Sequence, residues 1–159
     1  MANTSDQAGP RSDVVVRYAS LDDLDVLAPL FDAYRVFYAQ PSDPAVAHGF
    51  LAERLSLRES VLLLAEADGV ACGFIQLYPY FSSIAATRAW SLMDLYVTES
   101  ARGAGVARAL MNKATEHARQ TGASHLELST AHDNIRAQAL YESLGYELDT
   151  VYRYYSLPL

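Results

Sequence analysis

A chain of 159 residues is ordinary for one domain, and a hydrophobic fraction of 51% supplies one core and excludes extended disorder. A net charge of −7 argues against a nucleic-acid partner, whose affinity rests on neutralised phosphates, and favours cationic ligands. No apolar run is long enough to span a bilayer, residues 1–10 carry no hydrophobic signal region, and the lone cysteine, Cys72, cannot form an internal disulfide; a cytoplasmic protein without a membrane partner is expected.

In chain order, Met1 to Asp13 is polar and rich in small residues and is expected to be a flexible tail, with the folded domain over residues 14–159. Val14-Val15-Val16-Arg17-Tyr18 predicts a first strand. Ser20 with Asp23 makes a capping-box-like start for a helix running towards Tyr38, in which Pro29 predicts a kink. Asp43-Pro44, a cap and then a proline at the first helical position, opens a second helix to about Leu57. Val61 to Glu66 and Val70 to Tyr78 predict strands joined by the turn Ala67-Asp68-Gly69. Pro79 to Arg88 reads as a loop or strand end, and Trp90 to Val97 as a buried strand. Val106 to Gln120 carries apolar groups at Val106, Leu110, Ala114 and Ala118, the stripe of an amphipathic helix ending at Thr121-Gly122. A strand from His125 to Ser129, a helix opening at Asn134, and strands at Tyr146–Asp149 and Val151–Leu157 complete the chain. No repeat or linker marks a second domain.

The densest signal is Val97-Thr98-Glu99-Ser100-Ala101-Arg102-Gly103-Ala104-Gly105-Val106-Ala107, a strand end, a glycine turn and a helix start in succession. The first N–H groups of such a helix have no intrahelical partner, and Gly103 and Gly105 place no Cβ in the way of a ligand. Free donors and the positive end of the helix dipole both favour an anion such as a pyrophosphate. The dinucleotide pattern G-x-G-x-x-G fails because Arg108 stands at its third glycine, and no G-x-x-x-x-G-K-[ST] run occurs.

Arg102-x-x-Gly105-x-Ala107 fits instead the Q/R-x-x-G-x-G/A signature. Downstream, Asn134-Ile135-Arg136-Ala137-Gln138-Ala139-Leu140-Tyr141-Glu142-Ser143-Leu144-Gly145-Tyr146 fits N-x-x-A-x-x-L-Y-E-x-x-G-F/Y. Together these segments resemble the GCN5-related N-acetyltransferase (GNAT) superfamily, over the chain from about Val14 onward. Locally the second segment makes physical sense: Asp133 or Asn134 can cap a helix and Gly145 can end it in a left-handed turn. The resemblance implies an α/β (α+β) single-domain fold, a mixed, twisted central sheet with helices on both faces. It also implies acetyl-coenzyme A as cofactor. The pyrophosphate would lie on Arg102, Gly103, Ala104, Gly105, Val106 and Ala107, the pantetheine arm along Leu95, Tyr96 and Val97, with Asn134 contributing to the same site.

Acetyl transfer from a thioester to an amine needs a base for the amine, stabilisation of the carbonyl oxygen, an acid for the departing thiolate, and alignment. Tyr141, in the L-Y-E context of the family, is the candidate acid, since a phenol is protonated at neutral pH. Asp94, a carboxylate within Leu92-Met93-Asp94-Leu95-Tyr96-Val97, is the candidate base or amine anchor, on the face opposite Leu95 and Val97. Glu127, in Leu126-Glu127-Leu128, competes with it, and the family often deprotonates the amine through water. His132 is a candidate proton shuttle, while His48, His117 and His125 read as surface or satisfied positions. No His, Cys or carboxylate spacing suggests a metal.

Aromatic residues are dense at Tyr34, Phe37, Tyr38, Tyr78, Tyr80, Tyr152, Tyr154 and Tyr155, and tyrosine faces attract ammonium groups. Tyr34, Tyr38, Tyr78, Tyr80 and Tyr154 are candidate acceptor-site residues, because the resemblance implies an acceptor site walled by the first two helices, the strand-4 side and the last hairpin. Gln76-Leu77-Tyr78-Pro79-Tyr80-Phe81-Ser82-Ser83 resembles a loop of the branch related to Hpa2-type amine and histone acetyltransferases. The expected reaction is acetylation of a small primary amine, polyamine-, amino-acid- or aminoglycoside-like. The alternatives are a protein N-terminal or lysine acetyltransferase, or a non-catalytic acyl-CoA-binding regulatory domain. A homodimer is a further implication of the resemblance.

Overall fold

The computed structural model describes residues 13–159, so the tail expected over residues 1–13 lies, except for Asp13, outside them. Two units are distinguished, one closing at Leu128 and the other running from Ser129 to Leu159.

The first unit is built on five strands, β1 (Val14–Tyr18), β2 (Val61–Ala67), β3 (Val70–Ser82), β4 (Thr87–Val97) and β5 (Leu126–Leu128), in the spatial order β1-β2-β3-β4-β5. The first four are antiparallel neighbours joined in sequence, whereas β5 joins β4 in parallel and needs a crossover, supplied by helix α3 (Val106–Gln120). Helices α1 (Leu24–Phe37) and α2 (Pro44–Leu57) fill the connection from β1 to β2.

Alternation along the strands sorts their side chains onto two faces. Leu62 and Leu64 of β2 and Phe74 of β3 pack with Leu27, Leu30 and Phe31 of α1 and Ala47 and Leu51 of α2 in one buried cluster. The intervening residues Leu63, Ala65 and Ile75 are fully buried on the other face, where α3 contributes Leu110, Met111 and Ala114. Helices thus cover both faces, as the resemblance implied. Gly73 faces α3, and a Cβ there would stand 2.7 Å from the Tyr96 carbonyl oxygen and 3.4 Å from Leu110 Cδ1, so only glycine permits this approach of β3 to β4.

Local chemistry fixes the helix starts. Ser20 and Asp23 form the expected capping box, at the head of a short 3-10 turn (Leu21–Asp23) that leads into α1. Arg17 of β1 clamps this turn, 2.7 Å from Asp23 and 2.9 Å from Glu66 on β2. Asp43 Oδ1 accepts the Val46 N–H at 3.0 Å, with Pro44 opening α2 as expected. Pro29 lies inside α1, which runs unbroken from Leu24 to Phe37.

Two expectations need correction here. Of the two readings of Pro79 to Arg88, loop or strand end, the loop is confined to residues 83–86: β3 continues to Ser82 and β4 begins at Thr87. Pro79 is tolerated because β2 pairs with β3 only as far as Leu77, so its missing N–H breaks no ladder on that side.

In the second unit, α4 (Ile135–Ser143) opens at Asn134, whose side-chain oxygen accepts the Ala137 N–H at 3.3 Å. It closes at Gly145, with φ of +87°: the Gly145 N–H reaches the Glu142 carbonyl and the Tyr146 N–H the Tyr141 carbonyl, a Schellman stop. The second correction concerns Tyr146–Asp149 and Val151–Leu157, which form no strands. Asp149 Oδ1 takes the N–H groups of Val151 (2.7 Å) and Tyr152 (3.0 Å), a local turn that diverts donors a strand ladder needs. Among the described residues the sheet therefore has five strands rather than seven, and Tyr152, Tyr154 and Tyr155 are largely exposed.

Candidate active site

The site grows from an irregularity in β4. Its register against β3 shifts by one residue between the pairs Gln76↔Asp94 and Leu77↔Leu92, leaving Met93 as the extra residue of a bulge. Parallel pairing with β5 reaches Leu92 and stops there. Beyond the bulge the Thr98 N–H points at β3, donating to the Cys72 carbonyl at 2.8 Å, so by alternation the main-chain groups of Leu95 and Val97 point away from β3. Leu95, Tyr96 and Val97 thus form a strand segment paired on one side, with main-chain groups of the first and last directed to the other.

The turn after β4 is open in the way its sequence suggested. Gly103 and Gly105 have φ of +86° and +85°, and a Cβ on either would meet nothing within 4 Å. Gly105 is the residue before α3 and offers no side-chain cap, so the first-turn N–H groups of Val106, Ala107 and Arg108 have none from it. α3 has 15 residues, long enough for a dipole to act at that end. The Arg102 side chain folds back: Nε donates to the Val97 carbonyl at 3.2 Å, and the guanidinium lies 5.8 Å from the Phe37 ring centre on α1. Arg102 therefore ties the turn to the end of β4 and to α1.

On the face under α1 and α2, Asp94 is partly buried next to the bulge. Burial raises its carboxyl above the ordinary range, and a hydrogen bond from Tyr34 opposes this. The Tyr34 hydroxyl also stands 3.4 Å from the Met93 carbonyl oxygen, and its ring packs edge-on against Tyr38 (5.1 Å) and Tyr96 (6.3 Å). The Tyr78 phenol is pushed up to about 12, first by burial and then by the charge of Asp94, with Arg54 opposing and Glu59 adding. Asp94 thus takes a hydrogen bond from Tyr34 and its charge acts on the phenol of Tyr78, while Tyr38 packs on Tyr34.

The remaining candidates sit on other elements. Glu127 is paired in register with Ser91, three residues before Asp94, on the same side of the sheet. Tyr80 lies further along the hairpin, where its hydroxyl is 2.7 Å from His125 Nε2. In the second unit, Asn134 caps α4, and Tyr141 is half-buried in its last turn with its ring 6.0 Å from that of Tyr146. Tyr154 stands exposed in the irregular segment, and the carbonyl of His132 accepts Gln138 Nε2 at 3.0 Å. Among the described residues no group of three or more His, Cys, Asp or Glu side chains could hold a metal ion.

His117 departs from expectation, being neither exposed nor satisfied. It is buried, with Nδ1 2.9 Å from the Tyr18 hydroxyl, its ring 4.6 Å from that of Trp90, and Nε2 without a hydrogen-bond partner. Gln76 is the residue that sequence reasoning missed. It is fully buried, directly across from Asp94, and donates from Nε2 to Ser60 Oγ at 2.7 Å. Its signal was present: an amide in the apolar run Gly73-Phe74-Ile75-Gln76-Leu77, at a position whose alternation faces the core.

Comparison with known proteins follows the same lines. The family model described as "Acetyltransferase (GNAT) family" matches residues 26–146. The chain is 46% identical over 142 residues to the uncharacterized N-acetyltransferase YhfO of Bacillus subtilis, covering 89% of this chain and 95% of that protein. It is 28% identical over 154 residues to the D-amino-acid N-acetyltransferase HPA3 of Saccharomyces cerevisiae, covering 95% and 96%. A crystal structure of a probable acetyltransferase matches with a TM-score of 0.87 at 45% identity, over 91% of this chain and 97% of that one.

Proposed function

The chain belongs to the acetyltransferase (GNAT) family and is an N-acetyltransferase, and from that premise we propose that it moves the acetyl group of acetyl-coenzyme A onto the primary amine of a small molecule. The observation that carries the acceptor half is Asp94, a half-buried carboxylate that takes a hydrogen bond from Tyr34, itself packed on Tyr38, and whose charge acts on the phenol of Tyr78. Likeness to a yeast protein named as a D-amino-acid N-acetyltransferase, over nearly the whole of both chains, supports a small acceptor bearing an amino group.

The residues after the bulge fit the cofactor. Two glycines with open space above them and a helix start without a side-chain cap suit a pyrophosphate, held by main-chain N–H groups from Gly103 to Ala107. The outward main-chain groups of Leu95 and Val97 suit the amides of a pantetheine arm. Arg102 acts chiefly by bracing the turn through Val97, and Asn134 joins the assignment on its family segment. When bound, acetyl-coenzyme A supplies a thioester carbonyl as electrophile.

Asp94 anchors the ammonium by charge and hydrogen bonding and takes the proton that the amine must lose. A raised proton affinity suits this role, since a base works best when its pKa lies near the working pH. Tyr141 gives a proton to the departing thiolate, a role assigned from its Leu140-Tyr141-Glu142 context. Glu127 is the second choice for the base, being further along the sheet from the bulge.

Asp94→Asn tests this reading, because it keeps shape and removes charge. Binding of acetyl-coenzyme A, measured by calorimetry, is expected to stay within twofold, while kcat/KM for a cationic amine falls by about 10²-fold or more. Unchanged kcat and acceptor KM would move the role to Glu127 or to water.

A further inference from the structure

Gln76 is buried beyond what packing explains. Its side chain is wholly inside, on the face that β3 and β4 share under α1 and α2, and it stands opposite Asp94 in the strand register. Side chains so placed on antiparallel strands are direct neighbours. The amide is anchored at one end, since Nε2 donates to Ser60 Oγ at 2.7 Å. The other end, Oε1, is buried and accepts no hydrogen bond. An acceptor left unsatisfied in a core is destabilising, and a leucine or methionine would fill the space without that cost.

Oε1 can only accept. Facing an ionised carboxylate it adds repulsion, but facing a carboxyl group it completes an O–H···O=C bond. We propose that Gln76 is a positioning residue for Asp94, its Oε1 receiving the hydrogen bond of the proton that Asp94 takes from the acceptor amine. The proposal rests on the reading of Asp94 as the base and deepens it. As the amine nitrogen forms its bond to the acetyl carbon and the thioester carbon–sulfur bond breaks, the sulfur leaving as the thiolate that Tyr141 protonates, the amine's N–H proton moves to a carboxylate oxygen of Asp94, and the O–H so formed turns to Gln76. Ser60 holds the amide with its oxygen on offer. If the amide turned over, its NH2 would favour the charged carboxylate and oppose proton uptake.

The other groups facing Asp94 act differently. Tyr34, from α1, donates to the carboxylate and favours its charged form, against the burial that raises it. Tyr78, on β3, is held protonated, with Arg54 of α2 and Glu59 beyond it acting on that phenol in opposite senses. Neither tyrosine accounts for a buried, unpartnered amide oxygen on the residue paired across the ladder with Asp94, whereas a proton that arrives during the reaction does.

The test is a carboxyl 13C NMR titration of Asp94 in the wild-type protein, with Asp94→Asn to assign its resonance. In Gln76→Met, which excludes the same water without offering an oxygen, the pKa of Asp94 is expected to fall by about one unit, a tenfold loss of proton affinity. Ser60→Ala, which frees the amide to turn, is expected to shift it the same way by less, and carries the test if Gln76→Met does not fold. An unchanged or raised Asp94 pKa in either folded variant would overturn the proposal. The acidic limb of kcat/KM is expected to move to lower pH with the NMR value. If the NMR value falls and the limb stays, the link to catalysis is refuted and Asp94 is not the base, although Gln76 governs its protonation. A merely structural Gln76 would lower the melting temperature and leave the titration where it is.

Discussion

Asp94 and Tyr141 are asked to move protons in opposite directions, and each assignment has its own kind of support. Asp94 stood out as a candidate in the sequence because a charge inside Leu92-Met93-Asp94-Leu95 has no ordinary reason to be there, and the structure adds the hydrogen bond from Tyr34 and the effect of its charge on Tyr78. Gln76 was not singled out, because an amide in a strand carries no formal charge and its significance depends on which neighbour it meets across the ladder. Tyr141 was legible only through its family segment, since a half-buried tyrosine in a helix is as often packing. Replacing it with phenylalanine separates the two, because the ring stays and the phenolic oxygen goes. Tyr141→Phe is expected to lower kcat by about 10²–10³-fold while leaving acetyl-coenzyme A affinity and the melting temperature nearly unchanged. A well-folded variant with normal kcat, where chemistry limits the rate, would remove this tyrosine from the mechanism.

Among the elements, the turn from β4 into α3 matters most. Caps, prolines and glycines announced it, as they announced α1, α2 and α4, because these residues act through local backbone chemistry that the sequence displays directly. The bulge at Met93 was not readable, since it has no residue signature and exists only as a mismatch between two strands. The strands expected after Tyr146 failed for a related reason: alternation describes what a strand looks like, but Asp149 binds the following N–H groups first. Conversely β3 ran on past Pro79, because proline is forbidden only where its missing N–H would have met a partner. The turn assignment predicts that Gly105→Glu abolishes coenzyme A binding, since a carboxylate would occupy the anion's place at a backbone angle few side chains adopt. Thermal stabilisation by acetyl-coenzyme A is the readout: it should be present in the wild type and absent in the variant, and equal stabilisation of both would refute the assignment.

Across the whole molecule, one buried histidine sets a pH limit on stability. Burial lowers the pKa of His117, helped by the nearby charges of Arg88 and Lys113, so the unfolded chain takes up its proton first. The stability linked to this group is complete above the ordinary histidine value of about 6.5 and is lost as pH falls below it. Asp23 and Asp32, held below the usual carboxylate range by hydrogen bonds, lose theirs only at lower pH. The melting temperature should therefore fall as pH drops below about 6.5, and His117→Gln should flatten that slope; an equal slope in the variant would place the sensitivity elsewhere. The proposed cationic acceptor accords with the acidic charge of −7, and no helix among the described residues is long and apolar enough to cross a membrane. The most direct measurement is thiol release from acetyl-coenzyme A by the wild-type protein against a matched panel of amino acids, polyamines, aminoglycosides and peptides, with products weighed by mass spectrometry. The account predicts rapid release with at least one small primary amine, which gains a single acetyl group on nitrogen, and little with peptides. Tight acetyl-coenzyme A binding with no release against any amine, or release with peptides alone, would contradict it.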